Sequence, residues 1–266
     1  MPKIAILSDL HANLPALEGV LREVEVSGAE EIVFGGDLVG YAAQPKECVD
    51  WVRRLGGRSV LGNHDAFTRF LTVNTTAILP DSWPENPVWA AIDLANRELD
   101  EEALQWLWQR PMQLSLDGGA VLAHASLHAQ GDWPYLNDER IAGPTLDLLR
   151  EQGLSIGFFG HTHQQDLFFD DDAEGVPEWI DANRVFIPEN AVCAMTVGSV
   201  GQPRDGGDYR ASWAIWDPEE RVVEQRRTAY PAILAAQSIL QAGLPIESAL
   251  RLLSLDQRRE WLGLKP

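Results

Sequence analysis

Each short apolar run in the first 65 residues ends in a polar residue able to bind a metal, and helical spacing follows. Ile4–Leu7 is apolar throughout, as in a strand covered on both faces. Asp9 and His11 come next. Leu14, Leu17, Val20, Leu21 and Val24 then recur at helical spacing, with Pro15 at the helix start, where its missing N–H costs little. Ile32, Val33 and Phe34 repeat the strand signal before Gly35-Gly36-Asp37, and a second helical pattern covers 45–55. Residues 58–61, Arg-Ser-Val-Leu, read as a third strand before Gly62-Asn63-His64-Asp65. This alternation restricts the first part of the chain to a parallel α/β sheet. In such sheets the residues just beyond the strand carboxyl ends gather along one edge, where ligands bind.

Over 66–112 the texture changes. Stretches 74–76 and 80–87 are loop-like, while 88–96 and Glu101–Trp108 carry helical patterns with Trp89, Leu94, Leu104 and Trp106 on apolar faces. A helical cap insertion is expected there. Strands are predicted at 112–116, Ala120–Ala123, Ile156–Phe159, 166–169, 192–197, 212–216 and 222–226, with a helix at 138–150. Two short helices should fill 231–253, broken around Gly243-Leu244-Pro245. Nothing repeats at a fixed period. The predicted fold is α/β: a four-layer α-β-β-α sandwich of two mixed sheets with the helical cap insertion. All 266 residues form one domain, with 230–266 packed on it as C-terminal helices.

Composition excludes several classes. Net charge is -19, which opposes binding to the phosphates of duplex nucleic acid. No stretch approaches the ~20 apolar residues of a membrane helix, and no basic, long apolar leader opens the chain. Cys48 and Cys193 lack C-x-x-C partners, so neither a disulfide framework nor a zinc knuckle is expected. A soluble, unprocessed protein of the reducing cytoplasm fits these features, and oligomeric state leaves no mark on them. The acidic runs 98–102 and 170–172 read as solvated faces or turns.

The chemistry lies at the strand ends. Asp9 and His11 are two apart, so an extended segment would point both to one side, and His161 and His163 repeat the spacing. Asp37 follows two glycines, which let the backbone turn tightly, and its two carboxylate oxygens can bridge two ions. Asn63 adds a neutral oxygen ligand. Alone, an Asp-x-His or Gly-Asp pair is more often a polar turn. The tetrad at 62–65 is more telling, because polar groups directly after a buried run need partners. Together with His124, which closes Ala120–Ala123, these residues point to two metal ions. Manganese or iron suits mixed imidazole, carboxylate and amide donors better than magnesium or calcium, with zinc the alternative.

The ordered set Asp9-x-His11, Gly36-Asp37, Gly62-Asn63-His64-Asp65, His124 and Gly160-His161-x-His163 resembles the calcineurin-like metallophosphoesterase superfamily. Ser8 to Asn13, Gly-Asp-Leu-Val-Gly-Tyr at 36–41 and Gly-Ser-Val-Gly-Gln-Pro-Arg-Asp at 198–205 are more closely similar to its small bacterial phosphodiesterase and diadenosine-tetraphosphatase-like branch. The resemblance implies one metal held by Asp9, His11, Asp37 and His163, and a second by Asp37, Asn63, His124 and His161. It implies that His64 faces the phosphate as general acid or oxyanion stabiliser, with Asp65 a candidate to orient its ring and Asn13 supporting the ligands from behind. Two departures stand out. Leu61 replaces a frequent polar residue before Gly-Asn-His, and Ala125-Ser126-Leu127-His128 replaces the common Gly-Ser-Pro after His124. His128 therefore becomes a candidate substrate contact, with a surface role its alternative. Arg204 is a candidate phosphate clamp, its alternative an ion pair with Asp205 or Asp208.

The expected activity is hydrolysis of a phosphomonoester or phosphodiester, small and nucleotide-like, by water activated between two metals. Trp83 and Trp89 could enclose a small leaving group. A serine/threonine protein phosphatase-like enzyme is the alternative within catalysis. A metal-binding regulatory scaffold with incidental turnover is the alternative outside it, but a scaffold is free to lose ligands and this chain keeps the set and His64.

Overall fold

Ile4 and Ile6 face one way, Ala5 and Leu7 the other, and both faces are covered by separate apolar clusters. The computed structural model describes residues 1–73 and 82–263. Its first part runs β1 (Ile4–Leu7), α1 (Leu14–Ser27), β2 (Glu31–Phe34), α2 (Pro45–Arg54), α3 (Asn63–Val73), a 3-10 turn at Trp83–Glu85, α4 (Pro87–Glu98) and α5 (Glu101–Trp108). There follow β3 (Gln113–Leu116), β4 (Ala120–Ala123), α6 (Glu139–Glu151), β5 (Ile156–Phe159) and β6 (Leu167–Phe169). The remainder is β7 (Glu178–Trp179), β8 (Arg184–Phe186), β9 (Cys193–Thr196), β10 (Ala211–Asp217), β11 (Val222–Thr228), α7 (Ala232–Gln241), α8 (Ile246–Arg251) and α9 (Leu255–Trp261).

The strands form two mixed sheets, ordered β2-β1-β10-β11-β8-β7 and β3-β4-β5-β9-β6. In the first, β1 runs parallel to β2 and antiparallel to β10; in the second, β4, β5 and β9 are parallel between antiparallel edges. Ile4, Ile6, Val33, Leu122, Phe158, Met195 and Trp216 fill the space between the sheets. Outside the first sheet, α1, α2, α4 and α5 contribute Leu17, Val20, Val49, Ile92, Ala95 and Leu107. Outside the second, α6 contributes Ala142, Leu146 and Leu149. The result is the expected sandwich. Its most buried indoles keep their polar atoms satisfied, Trp213 Nε1 donating to Thr228 and Trp216 Nε1 to the Asp117 carbonyl. Cys48 and Cys193 are buried in different clusters, and burial pushes the Cys193 thiol up to about 12. Among the described residues no helix is long and apolar enough to cross a membrane.

Several expectations change. Residues 58–61 are not a full strand: only Ser59 bridges to Phe34, and the Leu61 N–H turns to the Pro111 carbonyl, 2.8 Å away, drawing the chain off the ladder. A helix not anticipated in the sequence, α3, opens at Asn63 within the tetrad at 62–65. The β7–β8 hairpin and α9, the latter held by a Ser254 and Gln257 capping box, were not anticipated. Of the expected loop stretches, 74–76 and 80–81 lie outside the described residues. The helices of the insertion share the domain's core: Ile92 and Leu107 join α1 and α2, while Ala90, Ala91 and Leu94 meet Ala235, Ile239 and Leu252 of the C-terminal helices.

Candidate metal centre

Beyond β1 the backbone leaves extended geometry at once. Asp9, His11 and Ala12 have φ of 54°, 47° and 55°; Asp37 after β2 has 52°, and His161 and His163 after β5 have 65° and 61°. Left-handed backbone at non-glycine residues costs on the order of 1–3 kcal/mol each and persists only where neighbours hold it. Here they do. Asp9, His11 and Ala12 donate their N–H groups to the carbonyls of Gly36, Asp37 and Leu38, lacing the two ligand loops together. The turn at 198–205 clasps the other side, with Ser199 Oγ and the Gly201 N–H both on the Asp9 carbonyl at 2.9 Å. Asp9 and His11 thus converge through a strained turn rather than through the period of an extended strand, as spacing alone suggested.

The ligand atoms of Asp9, His11 and His163 lie within 4.8 Å of one another, as do those of Asp37, His124 and His161, all buried. Asp37 Oδ2 stands 3.4 Å from His124 Nε2 and 3.8 Å from His11 Nε2, so it touches both groups. Asn63 Oδ1 is 3.0 Å from His124 Nε2. Every predicted metal ligand therefore lies in or against one of two adjoining clusters. His64 also comes within the same 4.8 Å range of Asp37 and His11. Gly62 permits the approach of these loops, since a Cβ there would overlap the Asp37 carboxylate and amide.

The donor set fits cations. His11, His163 and His124 each place Nδ1 on a backbone carbonyl, of Val39 (3.1 Å), Gln202 (2.6 Å) and Gly35 (2.7 Å). A carbonyl only accepts, so each Nδ1 carries the proton and a neutral ring leaves Nε2 as a lone pair. Those lone pairs face acceptors: His11 Nε2 is 3.0 Å from His163 Nε2, and His124 Nε2 looks at Asn63 and Asp37 oxygens. Neutral rings so arranged repel unless a positive ion stands between them. The buried His161 Nε2 has no protein partner at all.

Titration tells the same story. Although burial opposes it, the carboxylates of Asp37 and Asp9 raise His124 to about 10, a proton taking up the charge a metal would supply. His161 is pushed down to about 4, by burial first and then by the charge on His124. Burial also works against the Asp9 and Asp37 carboxylates, yet the surrounding imidazoles hold both below the usual range.

His64 and Asp65 do not act as a pair. Asp65 Oδ1 accepts from the Leu38 and Val39 N–H groups at 2.9 and 3.3 Å, and Oδ2 accepts from Gly62 N–H at 3.1 Å. No described hydrogen bond joins it to the His64 ring, whose Nδ1 is buried without a partner. Asp65 thus braces the loops that carry Asp37 and Asn63. Burial, helped by repulsion from Asp37, raises its carboxyl to about 7. His64 is held by its backbone, its N–H donating to Asp37 Oδ1 at 2.8 Å, and burial lowers its imidazole to about 4. Gly40, at φ 99°, leaves room for the ring, since a Cβ would overlap Nδ1.

The chain is similar to known proteins. Residues 2–165 match the family model described as calcineurin-like phosphoesterase. The chain belongs to the calcineurin-like phosphoesterase family. An uncharacterized protein of Methanocaldococcus jannaschii is 30% identical over 270 residues, covering 98% of this chain and 95% of the relative. A crystal structure of a metallophosphoesterase from Sphaerobacter thermophilus is 31% identical with a TM-score of 0.77, covering 94% of this chain and 98% of that one. A hypothetical protein from Pyrococcus horikoshii shares the fold at 17% identity and a TM-score of 0.74, over 96% of this chain and 98% of its own. Family membership and the paired ligand clusters support hydrolase activity at the level of the superfamily.

The remaining candidates of this calcineurin-like phosphoesterase separate. Arg204 donates its N–H to the His163 carbonyl (3.0 Å), and its Nη2 reaches Gln202 Oε1 at 3.0 Å and the Tyr41 hydroxyl at 3.5 Å. Asp205 and Asp208 pair with Arg227 and Arg210 instead, so the alternative role for Arg204 is not the one seen. Asn13 caps α1 through the Ala16 N–H and donates to the Gly201 carbonyl, supporting the ligand turn from behind. His128 is tied to Thr145 of α6 (2.9 Å) and belongs to neither ligand cluster. Trp89 packs on Phe67, and Phe67 lies 5.9 Å from the His64 ring; Trp83 is in the 3-10 turn. Sequence reasoning passed over three aromatic neighbours. Tyr41 lies 4.7 Å from both His11 and His64, Trp133 5.6 Å from His124, and Tyr135 stacks on His161 at 4.0 Å. Only Tyr41 sat in a motif; the other two belong to a loop without pattern.

Proposed function

We propose that this phosphoesterase hydrolyses small soluble phosphoesters, nucleotides among them, in the cytoplasm, with manganese or iron as its metals. The observation that carries the reading is the two adjoining buried ligand clusters, with Asp37 of one 3.8 Å from His11 of the other and the buried, unpartnered Nδ1 of His64 beside them. Bound metals would be held by Asp9, His11, Asp37 and His163 on one side and Asp37, Asn63, His124 and His161 on the other, supplying an activated water and charge to neutralise the phosphate. His64, neutral at pH 7 because it is buried, offers a ring N–H to the departing oxygen. Arg204 orients a phosphate oxygen. Asp65 and Asn13 keep the ligand turns in place.

Small substrates are favoured by the aromatic surroundings. The insertion rises from the catalytic turn itself, with Phe67 and Trp89 layered next to His64, while Tyr135, 46% exposed, offers a flat face beside His161. The motifs at 36–41 and 198–205 support a place in the branch of small phosphodiesterases and diadenosine-tetraphosphatase-like enzymes. Metal analysis and a substrate panel on one preparation test the reading. Two equivalents of metal should accompany turnover of p-nitrophenyl esters and nucleotides. A preference for a phosphorylated protein would overturn the choice of small substrates, and metal-loaded protein without turnover would overturn the phosphoesterase.

A further inference from the structure

Three of the four imidazoles that would hold metal share one device. His11, His163 and His124 each fix Nδ1 on a backbone carbonyl, so the plane of the ring is set before an ion arrives. His161 lacks it. Among the described residues no hydrogen bond reaches its ring, and its Nε2 is buried with no partner. The backbone of His161 is held, its N–H donating to Asp9 Oδ2 at 3.0 Å. That leaves the torsion between Cβ and the ring, and such torsions have broad, two-fold wells. A ring free to turn would offer its lone pair to an ion only part of the time.

The missing constraint comes from Tyr135. Its ring lies on that of His161 with centroids 4.0 Å apart and planes 23° from parallel, the closest of the described ring pairs. Aromatic pairs usually stand roughly 4.5–7 Å apart, so at this separation the imidazole cannot turn unless the phenol ring moves. His124 stands edge-on to the same imidazole at 5.1 Å. Among the described residues the Tyr135 hydroxyl makes no hydrogen bond, which leaves the ring face as the means of contact.

The loop that carries Tyr135 is fastened on both sides of its tip. Leu127 before it and Leu136 after it pack in one cluster with Leu146 and Leu149 of α6. His128, which belongs to neither ligand cluster, bonds Thr145 Oγ1 of α6 at 2.9 Å, and its carbonyl accepts from Ser126. Between these anchors Ala129 and Trp133 are left-handed, with φ of 49° and 55°, a conformation that persists only where neighbours hold it. Trp133 in turn packs 5.6 Å from His124, the other imidazole of the cluster that contains His161.

We propose that Tyr135 is a positioning residue for His161, holding by stacking the ring that a carbonyl holds in the other three, so that metal affinity on the Asp37, Asn63, His124 and His161 side depends on this loop. The inference rests on the metal-centre reading, and it gives Tyr135 a task separate from any contact with substrate. The opposite side, where His11 and His163 both sit on carbonyls, is independent of the loop.

Equilibrium dialysis of chelator-treated protein against Mn2+ tests it, alongside turnover of bis(p-nitrophenyl) phosphate by the loaded protein. The parent should take up two equivalents and H161A one. Y135A should keep one at parental affinity and bind the second roughly 10–100-fold more weakly, the usual cost of losing a group that orients a metal ligand. Y135F keeps the ring face and should restore the parental curve. W179A, which removes an exposed indole on the β7–β8 hairpin, should leave that curve unchanged. Two parental sites in Y135A overturn the positioning role, and a raised KM in that variant would then assign the ring to substrate alone. Equal weakening of both sites, or a Y135F as impaired as Y135A, also overturns it, because neither effect passes through the stack on His161. In each of these cases two metals and diester turnover in the parent leave the phosphoesterase standing. A parent with neither overturns both.

Discussion

Asp65→Ala separates a brace from a ring-orienting partner. The carboxylate accepts from the N–H groups of Leu38, Val39 and Gly62, all in buried surroundings. Removing it strands these three donors, at about 1–2 kcal/mol each, or roughly 3–6 kcal/mol together. Its own burial and the repulsion from Asp37, which raise its carboxyl to about 7, offset part of the gain from these bonds and favour the lower end. Urea unfolding of chelator-treated protein isolates this term from metal binding. With a slope of about 3 kcal/mol per molar, the midpoint should fall by roughly 1–1.5 M. Because the same bonds set the loops of Asp37 and Asn63, metal content should fall as well. Asp65→Asn keeps the Oδ1 acceptor and should lose about a third to a half as much stability. The reasoning is refuted if Asp65→Ala unfolds within about 0.5 kcal/mol of the parent, keeps both metals and loses only kcat. That pattern would belong to a residue serving the His64 ring.

Asp37→Asn removes the carboxylate proposed to bridge the two clusters, and elemental analysis should show loss of dinuclear occupancy; two retained metals with parental activity would refute the bridge. His64→Ala should keep its metals while kcat falls by roughly 10²–10⁴, whereas His163→Ala should lose metal, so metal retention by both would reverse the assignment. Away from the site, Asp217 accepts from the Glu219 and Glu220 N–H groups and pairs with Lys3 at 2.9 Å; burial opposes ionisation, but these partners lower its carboxyl. Asp217→Asn should cost about 1–2 kcal/mol at pH 7. A depressed carboxyl stabilises fully above its unfolded value and loses that contribution as pH falls through its folded value, so parent and variant should converge in thermal melts as pH falls below the usual carboxylate range. A gap that persists there would show that the ionised carboxylate is not the source.

The candidate metal ligands were legible in the chain because they follow strand-like runs. They sit on two sheets, after β1 and β2 in one and after β4 and β5 in the other, and it is the packing of the two sheets that brings them together. Ile4–Leu7, Ala120–Ala123 and Ile156–Phe159 formed where their patterns placed them, since an uninterrupted apolar run has no solvated alternative. Packing also decided how the ends are held. Residues 58–61 look like a strand, but the Pro111 carbonyl, distant in sequence, captures the Leu61 N–H. The spacing of Asp9 and His11 is compatible with an extended segment, yet hydrogen bonds to Gly36 and Asp37 hold both left-handed. Asp65 adjoins His64 in the chain, but its oxygens go to backbone donors on another loop. Trp133 and Tyr135 carried no local signature of the site. Their placement beside it depends on which loop the folded layers bring there, and local pattern in the chain does not encode that choice.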